Sequence, residues 1–214
     1  MSETIRAVLF DHDDTLVGTK ESKWAHHKHV ANQFYGKDLS DEDILPHWGK
    51  PLPELVGLLY GTDDIEQALI NNTSCHEQFP KILFDGTIPT LKDIKFQGKL
   101  TGLVTATTRF SLDHDLLVHG ISKDLLDYIQ TAEDTQFHKP DSRVFEPTII
   151  WLSTQDIQVE QVLYVADGLH DMKAALGAGL QFLGVETGLT TRDQFLEHGV
   201  ESIISIAELS NILR

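Results

Sequence analysis

Three short runs place carboxylates or hydroxyls where an apolar segment ends. Asp11-His12-Asp13-Asp14-Thr15 follows Ala7-Val8-Leu9-Phe10, Thr105-Ala106-Thr107-Thr108 follows residues 100–104, and Asp167-Gly168-Leu169-His170-Asp171 follows Val162-Leu163-Tyr164-Val165. Asp11 and Asp13 stand two apart on an extended chain, so both side chains leave on one face. Carboxylates that close repel unless a cation lies between them or one carries a proton. One such cluster on its own reads as a polar loop in which Asp13 or Asp14 caps a turn, and Asp171 on its own as a helix N-cap. Two acidic strand ends converging on one crevice favour a hard cation instead, and oxygen ligands suit Mg²⁺. Lys139-Pro140 adds an amine, although alone it reads as a solvated lysine whose proline opens a helix. Thr105 offers a hydroxyl, and its loop offers backbone N–H groups, to an anion.

These residues must be carried by strands that end together. Ala7-Val8-Leu9-Phe10 is apolar on both faces, as suits a buried parallel strand. From Ser22 to about Cys75 apolar residues recur at helical spacing, among them Trp24, Val30 and Phe34, then Leu55, Val56 and Leu59, and no strand is expected. Beyond Thr87 the pattern alternates, with helices over 90–96, 112–119, 142–152 and 172–178 and strands over 100–104, 128–131, 162–165 and 182–185. That alternation predicts an α/β fold: a doubly wound parallel sheet built from residues 1–16 and 88–214, with a helical insertion over 17–87. In such sheets the ligand crevice lies outside the carboxyl ends of the strands, where all three polar clusters fall.

The 214 residues carry 17 Lys plus Arg against 33 Asp plus Glu, a formal charge of −16. A field of that sign repels nucleic acid and anionic lipid, so neither is expected as a partner. No apolar run reaches the ~18 residues of a membrane helix. Cys75 is the single cysteine, and the first residues lack a signal-peptide layout, so the expected location is cytoplasmic. The 11 histidines include the dense group His26-His27 and His29. Helical spacing does not converge these three on one face, so they are expected to be solvated rather than zinc ligands. His12, between two acids at a strand end, is expected to point away from them.

In chain order, Val8-Leu9-Phe10-Asp11-His12-Asp13-Asp14-Thr15-Leu16, Val104-Thr105, Lys139-Pro140 and Asp167-Gly168-Leu169-His170-Asp171 resemble the signature of the haloacid dehalogenase superfamily, in its phosphatase branch. The resemblance implies a Rossmann-like core with a cap and a small soluble phosphate ester as substrate, in a subgroup similar to phosphoglycolate phosphatases. It implies Asp11 as nucleophile, forming an aspartyl-phosphate, and Asp13 as general acid and then base. Thr105 and the Ala106 N–H would hold the phosphoryl oxygens, and Lys139 would neutralise nucleophile and phosphate. Mg²⁺ would be held at Asp11, Asp13, Asp167 and Asp171, with Asp171 orienting Lys139 or a metal-bound water. Asp14, Ala106, Ala166 and His138 depart from frequent Gly, Asn, Gly and Gly. Asp13 itself argues against carbon–halogen cleavage, since dehalogenases of the superfamily lack it. Within the insertion, Lys50 is the first candidate to touch substrate, with Trp48 and Lys23 behind it, and Lys139, Arg109 and Lys50 could form a positive patch that offsets the acidic surface. A sugar phosphomutase resembling β-phosphoglucomutase shares all the motifs and is the alternative enzyme; a catalytically idle binding protein on the same fold is the alternative of another class. A monomer or weak homodimer is expected.

Overall fold

The computed structural model describes residues 4–48, 50 and 52–213. The chain divides into two compact units, Met1–Gly18 with Leu83–Arg214, and Thr19–Ile82. The short strands β2 (Val17–Gly18) and β3 (Ile82–Leu83) lie where the chain passes from one unit to the other. The division falls at 18/19 and 82/83 rather than at 16/17 and 87/88. Thr87 already opens a helix whose Thr87, Leu91 and Ile94 are buried.

The first unit is a parallel sheet of β1 (Ala7–Phe10), β4 (Leu100–Val104), β5 (Tyr128–Gln130), β6 (Val162–Ala166), β7 (Gln181–Val185) and β8 (Ser202–Ile203) in the order β5-β4-β1-β6-β7-β8. β1 lies between β4 and β6, with Ala7 opposite Leu100 and Val162, and Phe10 opposite Leu103 and Val165. Every residue of β1 and β6 is buried. Their period of two splits the core: Val8, Phe10, Leu103, Leu163 and Val165 pack on one face, whereas Ala7, Leu9, Val104, Val162, Tyr164 and Ala166 pack on the other. A strand buried on both sides cannot alternate apolar with polar, which is why these segments read as continuous apolar runs. The two-residue β8, on the sheet edge, is too short for a sequence signal.

The unit 2 helices are α1 (Lys20–Tyr35), α2 (Asp41–Ile44), α3 (Leu52–Tyr60) and α4 (Ile65–Ser74). Those of unit 1 are α5 (Thr87–Phe96), α6 (Arg109–Val118), α7 (Glu146–Thr154), α8 (Leu169–Gly177), α9 (Arg192–Glu197) and α10 (Leu209–Ile212). The helix expected over 142–152 starts as a 3₁₀ turn at Ser142–Phe145 and becomes α-helical at Glu146, with Pro147 in its first turn where no N–H is needed. Among the described residues no helix is long and apolar enough to cross a membrane.

Unit 2 has its own core, around Trp24, Val30, Ile44, Val56, Leu59 and Tyr60. His26 and His27 belong inside it, contrary to the expectation of solvated histidines: they are 1% and 3% exposed. Their polar atoms are satisfied locally. His26 Nε2 donates to the Asn72 carbonyl (2.8 Å), Asn72 Nδ2 donates to the Tyr60 hydroxyl (2.8 Å), and that hydroxyl donates to His27 Nδ1 (2.9 Å). Burial pushes both imidazoles down to about 4, so they are neutral at pH 7.

Candidate active site

β1 delivers Asp11 directly. The Asp11 N–H continues the ladder onto the Val165 carbonyl (3.0 Å), so the side chain keeps the face of Leu9, whose register partner is Tyr164. Lys139 meets it there. Its Nζ has four oxygens within hydrogen-bond reach for its three N–H groups: Asp171 Oδ1 (2.5 Å), the Tyr164 hydroxyl (2.6 Å), Asp11 Oδ1 (2.8 Å) and the Val104 carbonyl (3.0 Å). The Tyr164 hydroxyl in turn donates to the Val104 carbonyl (2.9 Å). An ammonium buried this deeply is disfavoured by desolvation, yet Asp11 and Asp171 hold its pKa well above the ordinary lysine value. Burial raises Asp11 to about 6 although Lys139 opposes the rise, and Asp171 and Asp13 add to it.

The loop after Asp11 turns back at once. Asp14 has φ 54°, in the left-handed region that Asp tolerates and Gly favours, which accounts for glycine being frequent there. Its N–H donates to the Val17 carbonyl (2.7 Å), and its carbonyl accepts from Thr187 Oγ1 (2.5 Å). His12 points away from the acids, as expected: fully buried, its Nε2 lies 3.0 Å from Asp115 Oδ2 on α6. After β4, Thr105 is buried and its Oγ1 accepts the Thr107 N–H (3.0 Å), while Thr107 Oγ1 donates to Asp13 Oδ2 (2.5 Å). Ala106 is exposed, and among the described residues no acceptor takes its N–H.

After β6, Asp167 completes the group. Burial first, then the charges of Asp11, Asp171 and Asp14, raise its carboxyl to about 8. A carboxyl raised by burial and further by neighbouring carboxylates sits where a cation would relieve both desolvation and repulsion. Gly188, after β7, leaves room for it: a Cβ there would lie 1.8 Å from Asp167 Oδ2. Among the described residues no three His, Cys, Asp or Glu side chains converge as a finished metal cage. Mg²⁺ needs less than that, usually one or two carboxylates with waters and substrate oxygens, and the all-oxygen set of Asp11, Asp13 and Asp167 fits it. Asp171 stands differently from the other acids: its Oδ1 is engaged by Lys139 and lies 3.2 Å from the Tyr164 hydroxyl, which places it beside the lysine as its orienting carboxylate.

Asp11, Asp13, Thr105, Ala106, Lys139, Asp167 and Asp171 thus all lie at or beyond the carboxyl edge of one sheet. Lys50 belongs to the second unit, between Gly49 and Pro51, which lie outside the described residues; it is ion-paired with Glu54. Lys23 Nζ lies 3.3 Å from His76 Nδ1, and Trp48 stacks edge-on to Trp24 at 5.8 Å. The expected positive patch is not supported, because each of its members faces a carboxylate: Lys139 faces Asp11, Lys50 faces Glu54, and Arg109 faces Asp134 at 3.0 Å. Thr107, Tyr164 and Gly188 were not singled out from the sequence. Thr187-Gly188 follows a strand as the acidic clusters do, and the strand-end rule extended to β7 finds it.

Comparison with known proteins agrees with this geometry. The haloacid dehalogenase-like hydrolase profile matches residues 8–185. Pyrophosphatase PpaX of Bacillus velezensis is 28% identical over 183 residues, covering 85% of this chain and 83% of that protein. A structure from Bacteroides fragilis, provisionally assigned as a haloacid dehalogenase-like hydrolase, superposes with a TM-score of 0.76 at 28% identity, covering 96% of this chain and all of the other. One from Thermotoga maritima, provisionally assigned as a β-phosphoglucomutase, gives 0.83 at 21% identity over 98% of each chain, a likeness of fold. The chain belongs to the haloacid dehalogenase-like hydrolases and is a phosphatase of that family.

Proposed function

We propose that this phosphatase is a Mg²⁺-dependent phosphomonoesterase that cleaves a small phosphate ester through an aspartyl-phosphate on Asp11. The observation that carries the reading is the Lys139 ammonium held on Asp11 Oδ1 beside the Thr105-Ala106 loop. A carboxylate approaches a phosphate dianion only when repulsion between them is screened. Asp11 attacks phosphorus, forming an O–P bond as the bond to the leaving oxygen breaks, and Asp13 gives that oxygen its proton. Water then attacks the aspartyl-phosphate, its proton returning to Asp13, and inorganic phosphate leaves with Asp11 regenerated. Thr105 and the Ala106 N–H bind the phosphoryl oxygens throughout. Mg²⁺ would be held by Asp11, Asp167 and the backbone carbonyl of Asp13, which leaves the Asp13 carboxyl for proton transfer, and would supply charge neutralisation at the transferring group.

Unit 2 serves as the cap that sets specificity, with Lys50 as its first candidate for substrate contact. The name of the Bacillus relatives makes inorganic pyrophosphate one candidate substrate. Phosphate release from a panel of small esters and pyrophosphate, by wild type and Asp11→Asn with Mg²⁺ or EDTA, tests the reading. Release that depends on both Asp11 and Mg²⁺ supports it, and release that survives Asp11→Asn overturns it. Label transfer from a sugar bisphosphate without net phosphate release would favour a mutase.

A further inference from the structure

We propose that Thr107 is a positioning residue that sets Asp13 for proton transfer. This rests on the reading of Asp13 as the general acid. Thr107 sits between β4 and α6 in a loop tied at every turn. The Thr105 N–H donates to the Gln130 carbonyl (3.0 Å), the Ala132 N–H donates to the Thr107 carbonyl (3.1 Å), and Thr108 caps α6 by accepting the Ser111 N–H (3.3 Å). Within it the Thr107 N–H donates to Thr105 Oγ1 (3.0 Å) and Thr107 Oγ1 donates to Asp13 Oδ2 (2.5 Å). One residue therefore joins the phosphate-binding hydroxyl to the acid, on a backbone fixed through both its N–H and its carbonyl.

Both bonds direct protons. Thr105 Oγ1 receives a hydrogen from Thr107, so its own proton is turned elsewhere and serves the phosphoryl oxygens. Asp13 Oδ2 also receives a hydrogen from Thr107, which leaves Oδ1 as the oxygen that carries the transferable proton. In the first half-reaction that Oδ1–H bond breaks, the proton passes to the leaving alkoxide, and the alcohol departs as Asp11 bonds to phosphorus. A general acid works only within reach of the leaving oxygen and correctly turned toward it. Asp13 is only partly buried, and a hydroxyl on a β-branched residue with a stiff χ1, bonded to its Oδ2, constrains that rotation.

The test uses leaving groups. An alkyl alcohol needs a proton to depart, whereas p-nitrophenolate does not, and kcat/KM reports only steps up to that departure. Removing the hydroxyl in Thr107→Val is expected to lower kcat/KM for the best alkyl ester of the panel by about tenfold or more, and for p-nitrophenyl phosphate by less than about threefold. Thr107→Ser keeps both near wild type. Activity on the aryl ester reports that the valine variant is folded. An equal loss on both esters, or none on either, overturns the proposal. Asp13→Asn separates the two layers of argument. A leaving-group-selective loss in Asp13→Asn but not in Thr107→Val defeats the role of Thr107 alone; no selective loss in Asp13→Asn defeats the reading of Asp13, and this inference with it.

Discussion

Binding of Mg²⁺ should expel about one proton at neutral pH. In the metal-free protein the Asp167 carboxyl is raised to about 8 and that of Asp11 to about 6. A cation held by both requires both ionised. At pH 7 Asp167 is then protonated in about 0.9 of the molecules and Asp11 in about 0.1, so about one proton leaves per ion bound; at pH 9 the sum is only about 0.1. Calorimetric titration of metal-free protein with MgCl₂, in paired buffers of different ionisation enthalpy, reads this number directly. Asp11→Asn removes a charge that holds Asp167 high, so the variant should release fewer protons at pH 7. The same shift fixes a stability trend. Between about 4 and about 8 the folded state binds a proton at Asp167 that the unfolded chain does not, so the contribution of this group to metal-free stability is lost as pH rises through that window; above about 6.5, where the buried histidines no longer oppose it, metal-free stability should fall and the thermal gain from added Mg²⁺ should grow. Proton release near zero at pH 7, or equal release at pH 7 and 9, would refute the argument that these acids share one electrostatic cluster.

Three further outcomes follow from particular contacts. Tyr164→Phe keeps the ring against Phe145, whose centroid is 5.0 Å away, but deletes the hydroxyl beneath Lys139; kcat should fall several-fold with KM little changed, and the loss of about 1 kcal/mol should lower Tm by roughly 2–4 °C. An unchanged kcat contradicts this. Gly188→Ala must turn the Asp167 carboxylate away from a Cβ 1.8 Å from its Oδ2, so Mg²⁺ affinity by titration should drop by about 10–100-fold; wild-type affinity would count against Asp167 as a ligand. His26 and His27, held at about 4 by burial, bind fewer protons folded than unfolded below about 6.5. The Tm of Mg²⁺-saturated protein should therefore fall as pH drops from 6.5 to 4.5, and less steeply in a His26→Gln, His27→Gln double variant; identical slopes would contradict their burial as neutral imidazoles.

What the sequence made legible follows from burial. β1 and β6 are enclosed on both faces, and their apolar runs mark them with boundaries within a residue of those observed; β4, with Thr101 and Gly102 inside it, is marked by the helix–strand alternation instead. The residues at the strand ends were legible because carboxylates clustered there have few structural uses. His26 and His27 were misread because a periodicity argument sees two polar residues on a helix, while their burial depends on Asn72 and Tyr60 from other helices, which satisfy them. Thr107 and Tyr164 escaped notice for a related reason. A threonine in a polar loop and a tyrosine in an apolar strand are ordinary by type, and only the register that sets Tyr164 beside Leu9, and the turn that aims Thr107 at Asp13, gives them work. Of the two uses the sequence allows Asp171, metal ligand and orienting partner of Lys139, the structure shows the contact with Lys139, between residues far apart in sequence.

The central claim is a covalent phosphoryl group on Asp11. Acid quenching of wild-type protein during turnover of its best ester, reduction with borohydride and peptide mass spectrometry test it most directly, because an aspartyl-phosphate is reduced to homoserine at the residue that carried it. Homoserine is expected at position 11 during turnover and none without substrate. Turnover with no modified residue, or with the modification at another carboxylate, would contradict it.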